Sequence, residues 1–131
     1  MTLMFTDPSV NLYVSDVEAS ARFYTGLFGF TETFRTPQTG APIHVELRLG
    51  GLVLGLAWVS AAREMHGLVK GEGPCSDVAL WTADVDAAYA QVVAAGAKEI
   101  TPPHDFLDGA LRAGWVSDPD GNAVQLVQRR S

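Results

Sequence analysis

An internal repeat constrains this chain more than any other feature. Val10-Asn11-Leu12-Tyr13-Val14-Ser15-Asp16-Val17 is echoed 68 positions later by Val78-Ala79-Leu80-Trp81-Thr82-Ala83-Asp84-Val85, in a chain of 131 residues. An offset of about half the length means two similarly built modules rather than one irregular domain. Each copy alternates apolar and variable residues, the pattern of a half-buried strand. Each then runs into a helical stripe. Ser15 and Glu18 have capping-box spacing, Val17, Ala21, Tyr24 and Phe28 form the apolar face, and Gly29 is a stop. In the second copy Asp84 is the expected cap, Val85, Ala88, Tyr89, Val92 and Val93 form the stripe, and Gly96 ends it.

The expected helices are Ser15–Leu27 and Asp84–Ala95. Strands are expected at Phe30–Arg35, Ile43–Leu49 and Leu52–Val59, then at Lys98–Thr101, Leu111–Ser117 and Ala123–Gln128. The Asp118-Pro119-Asp120-Gly121-Asn122 turn joins the last two, since Pro presets the first turn angle and Gly accepts positive φ. Each half therefore reads as βαβββ, an α+β class. The first module runs from about residue 8 to 59 and the second from about 76 to 129. Residues 60–75 form a linker with a short helical turn from Ser60 to Met65. The whole is expected to form one domain, 1–131.

Composition narrows the function classes. An apolar fraction of 47% supports a buried interior. Fifteen acidic against nine basic residues give a net charge of −6, a field that repels phosphate backbones and anionic headgroups. No nucleic-acid or membrane partner is expected. The single cysteine, Cys75, has no basic neighbour and reads as an inert linker residue in a reducing, cytoplasmic setting. No leader is expected ahead of the first module, and the apolar run from Leu49 to Val59 is broken by glycines.

The repeated βαβββ order resembles the vicinal oxygen chelate superfamily, which contains glyoxalase I, bleomycin-resistance proteins and extradiol dioxygenases. The likeness rests on Ser15-Asp16-Val17-Glu18, Phe23-Tyr24-Thr25-Gly26-Leu27-Phe28-Gly29-Phe30, and the closing Asp118-Pro119-Asp120-Gly121-Asn122-Ala123-Val124-Gln125-Leu126-Val127. The resemblance implies two modules whose curled mixed sheet surrounds a cup-shaped pocket, usually in a homodimer. It also implies four metal-ligand positions, which fall here on Ser9, Gly55, Asp77 and Gln125. Gly55 has no side chain, Ser9 and Gln125 are weak ligands, and only Asp77 is strong. No metal and no other cofactor is therefore expected.

Within such a cup, strand parity sends Ser9, Asn11 and Tyr13 inward from the first module, and Asp77, Ala79 and Trp81 from the second. Tyr13 and Trp81 are equivalent by the repeat, and either wall a pocket for a planar or cationic ligand or fill core space. His44, Glu46 and Arg48 alternate with apolar residues along one strand. They are either a catalytic or binding row or an outer face. His104 and Phe106 fall in a Pro-started loop between strands, with Phe106 a lid contact. His66 complements a helix dipole, and Trp58 is expected in the core. Two functions remain open. One is a metal-independent protein sequestering an aromatic or cationic small molecule such as an antibiotic or metabolite. The other is a lyase- or isomerase-type enzyme using acid–base groups such as Tyr13, His44, Glu46 and Asp77, or an atypical metal site.

Overall fold

The computed structural model describes Met4, residues 6–73 and residues 76–130. Cys75 lies outside the described residues. In chain order the elements are β1 (Val10–Val14), α1 (Val17–Phe28), β2 (Thr31–Thr36), β3 (His44–Leu49), β4 (Leu52–Trp58) and α2 (Val59–His66). They continue with β5 (Asp77–Trp81), α3 (Val85–Ala94), β6 (Lys98–Phe106), β7 (Leu111–Ser117) and β8 (Ala123–Arg129). The chain divides into two compact units, Met1–Lys70 and Gly71–Ser131. Each contains its own four-stranded mixed sheet, ordered β1-β4-β3-β2 in the first and β5-β8-β7-β6 in the second. In both, the first strand pairs parallel with the last and the other pairings are antiparallel. The fold is α+β, built from two βαβββ modules.

The helices start where a carboxylate can cap them. Asp16 accepts from Ala19 N at 3.0 Å, and Asp84 accepts from Ala87 N at 3.1 Å. The cap of α1 is therefore Asp16 and not Ser15. A charged acceptor also opposes the positive helix end, and Glu18 is drawn away from the box by Arg35. Gly29, at φ 78°, ends α1 in the left-handed region that its lack of Cβ permits.

Val17, Ala21 and Tyr24 of α1 are buried in the first unit with Leu12, Val14, Val45, Leu47, Leu54 and Leu56. In the second, Val85, Tyr89 and Val92 of α3 are buried with Val116, Val124 and Leu126. Gly114 lets this helix close in, since a Cβ there would meet the Tyr89 ring at 2.9 Å. At the β7–β8 turn the buried Asp118 accepts from Asp120 N, Asn122 N and Asn122 Nδ2 at 2.8–2.9 Å.

Three expectations need correction. Trp58 is 39% exposed rather than core, because β4 ends there and the backbone turns into α2. Strand parity puts Val10 with Leu12 and Val14 on the helix side, yet it is 50% exposed, as the first residue of an edge strand. The Pro-started segment is not a loop. β6 runs on to Phe106, and Pro102 and Pro103 are tolerated because β6 is an edge strand with irregular register between Thr101 and His104.

Candidate ligand-binding site

In the first unit, the side chains that alternate with the core residues share the sheet face turned away from α1. The registers define this face row by row. Tyr13, Ala57 and His44 are partners across β1, β4 and β3. Asn11, Gly55 and Glu46 form the next row, and Val53 and Arg48 the one after. The polar strip His44–Glu46–Arg48 thus lies beside Asn11 and Tyr13 within one module.

At one end of this face α2 encloses a cavity of about 250 Å3. Tyr13, His44, Ala57 and, at the end of β4, Trp58 line it from the sheet, and Met65 and Leu68 from the helix and the residues just after it. His66 also borders it and so faces the same space as His44. The helical turn expected over Ser60–Met65 is present as α2, but with residues 60–75 read as a linker it was not expected to wall a pocket. The available signal was the spacing of Trp58, Ala61, Ala62 and Met65, an apolar stripe at helical period.

Toward the other end, a second cavity of about 450 Å3 is bordered by Asp7, Ser9, Thr33, Glu46 and Arg48. Between the two, His44 Nε2 lies 3.5 Å from Glu46 Oε2. At that distance the pair is a weak contact, which a ligand or a small rotation would tighten.

Gly55 is the residue on which this face turns. A Cβ at Gly55 would overlap the carboxamide oxygen of Asn11 and sit 3.0 Å from His44 Cε1. The absent side chain leaves room for the Asn11 amide and for His44, and both border the smaller cavity.

In the second unit the corresponding face holds a different set. Trp115 Nε1 donates to Asp77 Oδ2 at 3.0 Å, and His104 stacks on Trp115 with centroids 5.8 Å apart. Phe106 lies beside His104 at 6.1 Å, and Gln125 pairs in register with Ala79 and Trp115. Trp81 is 56% exposed, and the Arg129 guanidinium lies 4.4 Å from its ring centroid, so one face already carries a cation.

The pairings support the equivalence read from the repeat: Gly55 partners Asn11 as Gln125 partners Ala79. The residues do not fit a catalytic metal. The first module offers the Ser9 hydroxyl and no side chain at Gly55. The second offers Gln125 and an Asp77 carboxylate already bonded to an indole N–H. Among the described residues, no three His, Cys, Asp or Glu side chains group to hold an ion.

The perturbed acids and bases lie elsewhere. Arg35, bonded to Glu18 at 2.7 and 2.8 Å and to Glu32 at 2.9 Å, holds both carboxyls below the ordinary range. Arg112 does the same to Asp86. Burial, with the Glu99 carboxylate beside it, pushes the Tyr89 phenol up to about 12.

A family model described as "Glyoxalase/Bleomycin resistance protein/Dioxygenase superfamily" matches residues 7–126. The chain belongs to this superfamily. Among superfamily relatives, it is 35% identical over 123 residues to the anthracycline biosynthesis protein DauV of Streptomyces sp., covering 87% of this chain and 43% of DauV. It is 30% identical over 119 residues to CFP32 of Mycobacterium bovis, named provisionally as a glyoxylase, covering 91% of this chain and 44% of CFP32. The chain thus spans less than half the length of these relatives. A glyoxalase-related enzyme from Fulvimarina pelagi superposes with a TM-score of 0.76 at 28% identity, covering 95% of this chain and 89% of that one. The superfamily scaffold is shared by unrelated chemistries, so function must be argued from the site.

Proposed function

We propose that this superfamily member is a metal-independent small-molecule-binding protein. It holds an aromatic or cationic organic molecule, an antibiotic or metabolite, in the α2-walled cavity of its first module. The observation that carries this reading is the Gly55–Asn11 arrangement. A position that would bear a metal ligand is instead cleared for a neutral amide, beside an apolar cavity edged by Tyr13, His44 and Trp58. Aromatic walls with a few polar tips suit a planar ligand, and the net charge of −6 favours a cationic one. Ser9 belongs to the proposed set on the first module; Asp77, Trp81, Phe106 and Gln125 are proposed as a ligand-contact set on the second module by itself. A homodimer and a cytoplasmic location complete the proposal. Among the described residues, no helix is long and apolar enough to cross a membrane.

The test is a screen of aromatic amines and neutral aromatics by tryptophan quenching, beside elemental analysis of untagged protein. Support would be saturable quenching that is lost in Trp58→Phe, with no stoichiometric metal. One zinc, nickel, iron or manganese per chain would overturn the reading.

The His44–Glu46 contact favours a second reading, acid–base catalysis on the bound molecule, with Tyr13 as a further proton donor. Turnover of a bound hit that disappears in His44→Gln while binding persists would establish it. Binding without turnover would refute it.

A further inference from the structure

The larger cavity of the first module carries chemistry that the aromatic pocket does not use. It is bordered by two carboxylates, Asp7 and Glu46, one guanidinium, Arg48, and two hydroxyls, Ser9 and Thr33. No ion-pair or hydrogen-bond partner holds Arg48 or Asp7 among the described residues, and Glu46 has only the 3.5 Å contact to His44. Arg48 supplies donors only, and the carboxylates supply acceptors only. An amine would satisfy the acids and leave the guanidinium unmatched. A carboxylate would do the reverse, against two like charges. A hydroxyl both donates and accepts, so a group bearing several adjacent hydroxyls matches the whole set.

The two cavities are bordered by neighbouring positions of one sheet face. Asn11 and His44 border the aromatic one, and Ser9 and Glu46 border the polar one. In each strand direction the step is two residues, about 7 Å, and stays on the same face. We infer that the first module binds an aryl glycoside, with the aromatic aglycone against Tyr13, His44 and Trp58 and the sugar hydroxyls on Asp7, Glu46 and Arg48. This inference rests on the pocket proposed above and adds the class of ligand.

The probes are the 2-naphthyl β-glucoside, β-galactoside and α-mannoside, with 2-methoxynaphthalene as the aglycone alone, titrated into the full chain by calorimetry. The inference expects the aglycone to bind weakly and at least one glycoside to bind about tenfold or more tightly. Arg48→Ala should remove that increment and leave aglycone binding unchanged, Glu46→Gln should remove the increment as well, and Tyr13→Ala should weaken both. Arg48 is exposed and has no ion-pair partner among the described residues, so its replacement leaves the core untouched. Aglycone binding with no increment from any sugar would overturn the glycoside inference and leave the aromatic pocket standing. An increment that survives both substitutions would place the sugar elsewhere and overturn it too. Failure of every probe, aglycone included, would remove the pocket and the inference with it.

Discussion

Gly55 shows how much one missing side chain can decide. The amide of Asn11 and the ring of His44 fill the volume that a Cβ would need, so Gly55→Ala must displace one of them. Calorimetry with an aromatic hit should show a loss of affinity of about fivefold or more, with circular dichroism unchanged. Tyr13→Ala should cost about tenfold, since a stacked ring is worth about 0.5–1.5 kcal/mol beyond its buried area. Asp118 works differently. It is buried and accepts three hydrogen bonds that shape the β7–β8 turn, so Asp118→Ala should lower stability by about 2–3 kcal/mol in urea unfolding. The sequence shows Gly55 as a departure from a metal-ligand position. That Asn11 occupies the vacated space depends on a rotamer, which composition and parity do not encode.

At the scale of elements, the strand–helix order was legible because alternation and helical spacing are local signals. The misread elements are those in which tertiary context overrode them. β6 continues through Pro102 and Pro103 because an edge strand does not need their N–H groups. α2, expected as a short helical turn, is present, and only its role as a pocket wall went unread, since that depends on its apolar stripe meeting β1 and β4. The ion clips between helix and sheet belong to this scale as well. Arg35 on β2 binds Glu18 in the first turn of α1, and Arg112 on β7 binds Asp86 in the first turn of α3. Because Glu18, Glu32 and Asp86 titrate below their ordinary range, their contribution is present above the unfolded carboxyl pKa and is lost as the pH falls through the folded value. Solvent screening keeps that contribution modest at these exposed sites. Thermal melts across pH 6 to about 2.5 should show a shallower acid decline in Arg35→Gln than in the wild type. Identical slopes would mean that the clip contributes nothing.

For the whole molecule, the repeat made the two-module α+β architecture readable before any coordinate. Matching strand orders and registers follow from two copies of one pattern obeying the same sheet rules. Function was less legible, because the modules have diverged on the faces where chemistry would occur. The first carries Tyr13, His44 and a glycine-cleared amide, and the second carries an indole-bonded Asp77 and an Arg-covered Trp81. The proposed homodimer predicts about twice 14.0 kDa by light scattering at micromolar concentration, and a mass near 14.0 kDa would remove it.

The binding proposed for the first module needs no metal. Its most direct test is calorimetric titration of an aromatic hit into protein stripped with a chelator, and again after addition of zinc, nickel, iron(II) or manganese. The expected result is the same affinity in every case and a loss of about tenfold in Tyr13→Ala. Binding that vanishes on stripping and returns with one of these ions would contradict it.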